Sequence, residues 1–512
     1  MSNSRVIKGI KNAQVALLFY FINLLLGFIS RKFFIDYLGA EILGLNTTAT
    51  NLLGFLNLAE LGIGAAISYS LYRPLHKDDK ISINEIVSVQ GWLYRRIAYF
   101  VILASVALML FFPWIFENIS FPLWYVYGSF IVLLLGSLLG YFFNYRQIVL
   151  VADQKEYKLT LTVQGVKVIK VILQIISIMY FENGYVFWLI WELIAAILTS
   201  IVLNYVLKKE YSWLQPVLSS GRQLAEKHNQ IIRKTKQLFF HKIADFALTQ
   251  SSPLIIYAYA SLTVVACYGN YMLIVSGIIL LISAMQNSIS AGVGSLVAEG
   301  NKEHIKAVFK EIHAFRIWIA SMACFCMYYL TVPFISIWVG EEFVLDSFSF
   351  NILLVYTFIS LTRTFDLFIW AYGLFQDIWA PIIEAIINIG SSILLGYYWG
   401  LPGILLGLTS SLFIIVYLWK PYFLYKYGFK ENFKDYIYIS MKYLILIFFS
   451  IVIAYILLSS IIIFSNIYNL VDWFIKAIQV AMIYFLISLL IFILFDKSFR
   501  MCMLRFYELM KK

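Results

Sequence analysis

Long hydrophobic runs recur along this chain almost from end to end, and only short polar segments separate them. A helix needs about 20 predominantly apolar residues to cross the hydrocarbon core of a membrane. The runs reach that length often enough to predict about fourteen membrane-spanning helices. The predicted spans are residues 12–37, 42–70, 92–115, 121–145, 159–181, 185–207, 238–260, 263–297, 314–338, 349–375, 379–399, 402–425, 438–464 and 474–496.

A short motif occurs twice and indicates that the chain consists of two similar halves. The second predicted helix contains Gly62-Ile63-Gly64, the eighth contains Gly292-Val293-Gly294, and a charged segment soon follows each of them. Membrane transporters are commonly built from such internal repeats. We therefore expect an all-α polytopic membrane protein made of two six-helix bundles related by a pseudo-repeat, plus two C-terminal helices.

The polar segments mark the borders of this organisation, and none is long enough to fold as a separate domain. The first apolar run is too long for the core of a signal peptide and lacks a small-residue cleavage site, so we expect it to remain as an anchor. The predicted parts are a cytoplasmic N-terminus (1–11), an N-terminal lobe (12–207), a cytoplasmic linker (208–237), a C-terminal lobe (238–425), two additional helices (438–496) and a cytoplasmic tail (497–512).

Basic residues set the orientation. Lys and Arg concentrate in cytoplasmic loops, and with a cytoplasmic N-terminus the inner segments and adjoining helix ends hold 35 of the 39 basic residues. Both termini are therefore predicted to be cytoplasmic. The net charge of +11 follows from this bias and suits the anionic lipid of the inner leaflet. Binding to nucleic acid is not expected, because it would need a basic patch on a folded soluble module.

The composition agrees with a membrane protein and indicates no resident cofactor. Hydrophobic residues make up 62% and charged residues 13% of the chain, where a soluble protein carries roughly half and about a quarter. The four cysteines have neither the spacing of a metal site nor that of a disulfide framework. The sequence also lacks a Gly-x-x-x-x-Gly-Lys loop for direct use of ATP and an Asp-x-Asp motif. We expect no cofactor beyond a coupling ion.

Small and polar residues form a stripe along the second predicted helix, at steps of three or four that place them on one helical face. The stripe consists of Thr47, Thr50, Gly54, Asn57, Glu60, Gly64 and Ser68. It suits either the wall of a hydrated cavity or a close helix–helix contact. Because an ionisable group within a membrane commonly marks a transport path, Glu60 favours the cavity, and we take Asn57 and Glu60 as candidate cavity residues.

The tenth predicted helix carries Arg363 about half way along its span, and Asp366 and Trp370 follow on the same face. An arginine at that depth is the best candidate in the chain for binding an anion. The alternative is a self-contained ion pair with Asp366, one turn away, that only fixes two helices together.

Several further ionisable residues lie within the predicted spans. Arg31 is in the outer part of the first helix, where it either faces the cavity or extends to the headgroups. His241 and Asp245 share a face of the seventh helix, and Glu384 lies at a comparable depth in the eleventh. These three residues are compatible with a polar vestibule open to the cytoplasm. The alternative for His241 is that it only marks the end of the helix.

A recognisable pattern runs from Gly27 to Leu75. It contains Arg31-Lys32-Phe33-Phe34-Ile35-Asp36-Tyr37-Leu38-Gly39-Ala40-Glu41-Ile42-Leu43-Gly44-Leu45, then Asn57-Leu58-Ala59-Glu60-Leu61-Gly62-Ile63-Gly64, and then Tyr72-Arg73-Pro74-Leu75. In this pattern the chain resembles the polysaccharide transporter (Wzx-type O-antigen and capsule flippase) family of the multidrug, oligosaccharidyl-lipid and polysaccharide (MOP) exporter superfamily.

The resemblance implies a multi-pass protein of the bacterial cytoplasmic (inner) membrane that works by alternating access. The implied activity moves undecaprenyl-pyrophosphate-linked oligosaccharide units from the inner to the outer leaflet for surface polysaccharide assembly, coupled to H⁺ or Na⁺. The implied partners are this lipid-linked oligosaccharide, membrane lipid and the polymerase and assembly proteins. Arg31 matches the family pattern as a pyrophosphate ligand; Arg363 is added from its depth. Glu60, Asp366 and Glu384 are the candidates for binding the coupling ion.

Three other functions remain as alternatives. Another exporter of the same superfamily, for a lipid-linked peptidoglycan precursor or for drugs, would have the same fold. A membrane polysaccharide polymerase or glycosyltransferase is disfavoured, because such enzymes commonly need a large outer loop or a soluble domain with acidic metal ligands. A scaffold in a polysaccharide assembly complex would not need so many spans with ionisable residues inside them.

Overall fold

The structure is a computed structural model that describes the backbone of residues 2–60, 62–374, 376–377, 379–461, 467 and 469–510. Within these ranges, some side chains are not described: those of residues 2–10, 13, 59, 234, 236–249, 284–288, 291, 460–461, 506–507 and 509–510. The described residues form helices joined by short connections, with no strand among them. The predicted fold class, an all-α polytopic membrane protein, is confirmed.

The chain divides into two compact units, Met1–Ala266 and Cys267–Lys512. The first unit holds eleven helices and the first turn of the twelfth. These helices are α1 (Ser2–Leu38), α2 (Ala40–Leu56), α3 (Ile63–Lys77), α4 (Lys80–Met109), α5 (Phe112–Ile115), α6 (Trp124–Phe142), α7 (Ile148–Ala152), α8 (Glu156–Tyr180), α9 (Gly184–Glu210), α10 (Gly221–Lys227), α11 (Asn229–Tyr259) and α12 (Leu262–Glu299).

The second unit contains the rest of α12 and the nine helices that follow it. These are α13 (Lys302–Trp338), α14 (Ser347–Leu361), α15 (Thr364–Ala371), α16 (Trp379–Trp399), α17 (Leu401–Leu412), α18 (Lys420–Phe423), α19 (Phe433–Ile461), α20 (Leu470–Phe495) and α21 (Lys497–Met510). The predicted division into six, six and two spans stays a prediction, because the two compact units do not test it.

Twelve helices of the described part are long and apolar enough to cross a membrane, against about fourteen predicted spans. The two predicted spans without a counterpart among the twelve are 42–70 and 238–260. The first is broken, so that α2 has only 17 residues. The second falls on α11, in which many side chains are not described.

The prediction of one continuous second helix over 42–70 is wrong. After α2 ends, Asn57–Glu60 forms a turn of 3₁₀ helix, and Gly62 adopts a left-handed conformation (φ 90°) before α3 begins. Glycine adopts this conformation without the steric cost of a Cβ atom. The polar stripe is therefore divided between three segments and does not form one helical face.

A second break corrects the tenth predicted helix, 349–375. The backbone leaves helical geometry at Thr362 and Arg363, between α14 and α15. Such breaks release backbone polar groups that need other partners in a membrane. Here the Leu361 carbonyl accepts a hydrogen bond from the Arg316 Nε at 3.0 Å.

Two stretches of π-helical turns, Phe413–Trp419 and Leu424–Phe429, continue the helix that α17 starts. They enclose the single turn of α18, which begins at Lys420. The π-helix is rare and occurs frequently at functional sites. Lys420 therefore lies between two stretches of wider helical turns.

Within each unit, helices pack closely at small residues. In the first unit, a Cβ atom built on Gly44 of α2 would lie 1.9 Å from the Leu262 carbonyl oxygen, so only glycine permits this approach. In the second unit, a Cβ atom on Gly407 of α17 would lie 2.4 Å from the backbone nitrogen of Ser392 in α16. Larger residues at either glycine would push the helix pairs apart.

The two C-terminal membrane helices pack on α13. Trp318 Nε1 donates to Ser488 Oγ of α20 at 3.0 Å, and the rings of Phe325 and Tyr484 stack with their centroids 4.1 Å apart. Helix α21 also packs against α13, where Arg505 pairs with Glu311 at 3.2 Å. The additional helices are thus an integral part of the second unit.

Candidate functional site

The break between α2 and α3 gathers a polar cluster inside the first unit. Glu60 accepts a hydrogen bond from the Tyr94 hydroxyl of α4 at 2.7 Å. Asn57 Oδ1 accepts one from the Tyr141 hydroxyl of α6 at 2.9 Å and another from Ser137 at 3.2 Å. The rings of Tyr94 and Tyr141 meet edge to face, with their centroids 5.5 Å apart. The structure thus brings the two candidates Asn57 and Glu60 together.

This cluster pairs a half-buried carboxylate with hydroxyl donors. Tyrosine hydroxyls carry no charge at neutral pH, so the hydrogen bond from Tyr94 stabilises the Glu60 carboxylate without neutralising it. A carboxylate in such a setting suits the binding of a proton or a small cation. We name Asn57, Glu60, Tyr94, Ser137 and Tyr141 the acidic cluster.

Arg31 lies half-buried in α1. Its Nη2 donates to the carbonyl oxygen of Ala266 in α12 at 2.9 Å. Lys32 and Asp36 form an exposed pair one turn apart at 3.0 Å. The guanidinium of Arg31 therefore contacts helix backbone within the first unit, while Lys32 forms an exposed ion pair.

The break between α14 and α15 gathers a second polar cluster, in the second unit. Arg363 Nε donates to Asp366 Oδ2 at 2.9 Å. The other oxygen of Asp366 pairs with the Lys420 ammonium of α18. The side chains of Asp366 and Lys420 keep only 17% and 15% of their accessible surface, and that of Arg363 keeps 33%. The predicted pair of Arg363 and Asp366 is present, but it is not self-contained.

A third cation lies beside this pair. The Arg316 side chain of α13 is buried, and the charges of both Asp366 and Arg363 act on it. Burial raises the pKa of Asp377, in the connection before α16, above its ordinary value. The nearby Lys420 ammonium has a smaller, opposite effect on that pKa. Three cations thus share the neighbourhood of two carboxylates. We name Arg316, Arg363, Asp366 and Lys420 the basic cluster.

The mid-helix break explains how the basic cluster forms. In a continuous helix, Arg363 would project from a regular face of the span. In the structure it is the residue before α15, with φ −70° and ψ 48°, and from there its guanidinium reaches Asp366 in the first turn of α15. Cations on α13, before α15 and on α18 therefore approach one carboxylate from three different elements.

Glu384 is almost fully buried on α16, with 2% of its surface exposed. The buried residues of this helix recur at every fourth position: Ala380, Glu384, Asn388, Ser392 and Gly396. The charges of Glu384 and Arg363 both act on the Tyr356 hydroxyl of α14, which places Glu384 in the neighbourhood of the basic cluster. The side chains of His241 and Asp245 lie outside the described residues, so the predicted vestibule has no described counterpart.

Sequence analysis missed Arg316, Lys420 and the two tyrosines of the acidic cluster. Arg316 and Lys420 belong to the 35 basic residues of the inner segments and adjoining helix ends, because each lies within six residues of the end of its predicted span. Their position inside the spans 314–338 and 402–425 was the available signal. Tyrosine is abundant in this chain, with 36 residues, so its position gave no such signal.

Comparisons with solved structures relate the fold to one group of membrane transporters. The structure described as "Lipid II flippase MurJ, inward closed conformation" aligns with 93% of this chain and 98% of its own, at 17% identity and a TM-score of 0.62. An inward-facing multidrug resistance MATE family transporter of the MOP superfamily aligns with 78% of this chain and 93% of its own, at 15% identity and a TM-score of 0.58.

The description of a third similar structure refers to the binding pocket of that protein. A MOP superfamily transporter from Pyrococcus furiosus, whose description reports a reversed polarity of the binding pocket and suggests a different function, aligns with 83% of this chain and 95% of its own, at 17% identity and a TM-score of 0.51. No protein-family model matches the chain, and a search of curated proteins finds no match.

These similarities define the class of the fold. The chain has the architecture of MOP superfamily membrane transporters, and the solved structures that it resembles are transporters rather than enzymes. At these identities the likeness establishes the fold alone, and the polysaccharide branch that the N-terminal pattern resembles stays a prediction.

Proposed function

We propose that this protein is a flippase that moves a lipid-linked oligosaccharide, joined to its polyprenyl carrier through pyrophosphate, from the inner to the outer leaflet of the cytoplasmic membrane. The single observation that carries the proposal is the basic cluster, in which Arg316, Arg363 and Lys420 surround one carboxylate inside a transporter fold. The resemblance of the segment from Gly27 to Leu75 to polysaccharide flippases supports the choice of cargo.

The physical argument starts from the cargo. A pyrophosphate group cannot enter hydrocarbon unaided, because removing its charges from water costs many kcal/mol. Guanidinium groups bind phosphate oxygens with two parallel hydrogen bonds, and a lysine adds a compact positive charge. Even when Asp377 is counted beside Asp366, three cations face two carboxylates, and an excess of positive charge is what an anionic headgroup requires.

Full-length likeness to a lipid II flippase gives this proposal a second support. That structure covers nearly the whole chain, including more of it than the MATE transporter does. Proteins with this fold differ in the polarity of their pockets, as the Pyrococcus furiosus description states. The charge of the candidate binding residues is therefore a better guide to the cargo than the fold, and in the basic cluster the cations outnumber the carboxylate.

We further propose that an ion gradient drives the cycle through the acidic cluster. A carboxylate that binds a proton or sodium ion in one conformation and releases it in another couples transport to the gradient. Glu60, held by Tyr94, is the first candidate for this role, and the buried Glu384 is the second. Glu60 belongs to the acidic cluster of the first unit, whereas Glu384 lies in the neighbourhood of the basic cluster.

The experiment is reconstituted translocation. Purified protein in proteoliposomes receives a fluorescent undecaprenyl-pyrophosphate-linked oligosaccharide, and the fraction that reaches the opposite leaflet is followed with and without H⁺ and Na⁺ gradients. We expect Arg363→Ala to abolish translocation at normal abundance and Arg363→Lys to restore part of it. Arg222→Ala, at an exposed arginine of the linker helix α10, is the matched control and should behave as wild type.

Three results would refute the proposal. The first is normal translocation by Arg363→Ala. The second is transport of lipid II or of drugs in preference to the lipid-linked oligosaccharide, which would select another exporter of this fold. The third is a normal surface polysaccharide in cells from which the gene is deleted, and defective peptidoglycan in those cells would point to a peptidoglycan precursor.

A further inference from the structure

Asp366 occupies the centre of the basic cluster and makes contacts that a phosphate would also make. Its two carboxylate oxygens bind two cations on different elements, Arg363 before α15 and Lys420 on α18. A phosphate group presents the same kind of anionic oxygen and binds the same cations. The cargo and Asp366 thus require the same two partners.

Irregular backbone carries both cations that pair with Asp366. The break at Thr362 and Arg363 places one, and the π-helical turns on both sides of α18 place the other. Regular helices would carry these side chains along continuous faces. Two departures from α-helical geometry therefore converge on a single half-buried carboxylate.

We infer that Asp366 is a built-in counter-anion, which holds Arg363 and Lys420 when no cargo is bound and competes with the cargo phosphates for them. The inference rests on the proposed function and adds a device for release to it. Cations that bind phosphate without a competitor would hold the cargo too firmly, whereas an internal carboxylate takes over the same hydrogen bonds as the cargo leaves. Its cost is a lower affinity and its benefit is a faster cycle.

Charge arithmetic gives the direction of the effect. With Asp366 ionised, the cluster carries a net charge of +2, from Arg316, Arg363 and Lys420 against one carboxylate. Replacement of Asp366 by asparagine raises that charge to +3 and removes the competitor without a change in volume. We expect the affinity for a phosphate anion to rise at least tenfold, which corresponds to about 1.4 kcal/mol.

The test uses the full-length protein in nanodiscs and inorganic pyrophosphate as the probe, with binding measured by calorimetry. Asp366→Asn should bind pyrophosphate at least tenfold more tightly than wild type, while Asp366→Glu should stay within about threefold. Asp36→Asn removes a carboxylate from the exposed pair with Lys32 and is the matched control, for which no change is expected. In the translocation assay, Asp366→Asn should turn over more slowly than wild type at saturating cargo.

A double variant protects the test against misfolding, since Asp366→Asn leaves three cations together. Lys420→Gln with Asp366→Asn keeps the net charge of wild type. This double variant should bind pyrophosphate at least tenfold more tightly than Lys420→Gln alone. Equal or weaker binding in both comparisons would overturn the inference.

The outcomes separate the inference from the proposed function. If Arg363→Ala weakens pyrophosphate binding but Asp366→Asn does not strengthen it, the basic cluster binds the anion and only the counter-anion is refuted. If Arg363→Ala and Lys420→Gln both bind as wild type does, the basic cluster is not an anion site and both ideas fall.

Discussion

Two helix breaks carry polar side chains in this protein, and they differ in the sign of the charge that they hold. The break between α2 and α3 presents Glu60 to the hydroxyls of tyrosines, with no cation among the described hydrogen-bond partners of its carboxylate. The break between α14 and α15 presents Arg363 to a carboxylate shared with Lys420. The same device, an interrupted helix, thus gathers a carboxylate among hydroxyl groups in one unit and three cations around a carboxylate in the other.

The contrast teaches that partners, rather than depth alone, decide what an ionisable group can bind. Lys170 of α8 is also a largely buried cation, but Glu192 of α9 holds it at 2.7 Å and Gln174 donates to the same carboxylate at 3.0 Å. That pair is balanced in charge. The basic cluster instead gathers three cations around the little-exposed Asp366.

The largest effects are expected for two variants, one that weakens anion binding and one that removes ion coupling. Arg363→Ala should weaken pyrophosphate binding at least tenfold, or about 1.4 kcal/mol, because it removes a charge-assisted donor. Glu60→Gln should leave that binding within about twofold and should abolish the dependence of translocation on the ion gradient. Calorimetry and proteoliposome flux measure the two quantities. A Glu60→Gln variant with unchanged gradient dependence would remove the acidic cluster from the coupling mechanism.

A smaller effect, on stability alone, is expected for the balanced pair. Lys170→Met leaves the Glu192 carboxylate without its cation, which should cost about 2 kcal/mol, less than the about 3–5 kcal/mol of a fully buried pair. The melting temperature of the solubilised protein should fall, while pyrophosphate affinity stays unchanged. Loss of anion binding in this variant would mean that any half-buried cation suffices, and the comparison would fail.

Within the acidic cluster, the two tyrosines should differ. Tyr94→Phe removes the hydrogen bond of 2.7 Å to the Glu60 carboxylate, worth about 1.5–3 kcal/mol. Tyr141→Phe removes the hydrogen bond of 2.9 Å to the neutral amide of Asn57, worth about 0.5–1.5 kcal/mol, together with a secondary interaction with Glu60. Thermal unfolding in detergent should show the larger loss for Tyr94→Phe. Equal losses would indicate that Glu60 gains nothing from its tyrosine donor.

The smallest effect is expected at the exposed pair in α1. Lys32→Gln removes an ion pair in which both side chains keep 40% of their surface. Such pairs contribute about 0–1 kcal/mol, so stability, pyrophosphate affinity and flux should all remain near wild type. A marked loss of transport would transfer part of the anion site to the first unit, near Arg31.

The sequence was sufficient for the fold class, because hydropathy over long windows depends on composition and not on fine geometry. The same averaging concealed the breaks: Asn57, Glu60 and Gly62 lie in a run whose mean hydropathy suits a continuous helix. The Gly62-Ile63-Gly64 motif was noticed as a repeat and not as a turn, although a left-handed residue needs glycine at that position.

Only part of each site could be predicted from the sequence, because contacts between distant segments leave no local pattern. The pair of Arg363 and Asp366 followed from a spacing of three on one helix. Lys420 joins it from a position 54 residues away, and Arg31 meets the Ala266 carbonyl across 235 residues. Counting basic residues by loop assigned Arg316 and Lys420 to the cytoplasmic side, because that method considers only the proximity to a span end.

The wide turns before Lys420 make chain length a control on the chemistry of the basic cluster. A π-helical turn carries an extra residue compared with an α-helical one, and each residue advances a helix by about 100°. Deletion of a single apolar residue between Phe413 and Trp419 would let the stretch tighten and rotate the Lys420 ammonium away from Asp366. An insertion or deletion that alters no charged residue would then retune the electrostatics of the whole unit.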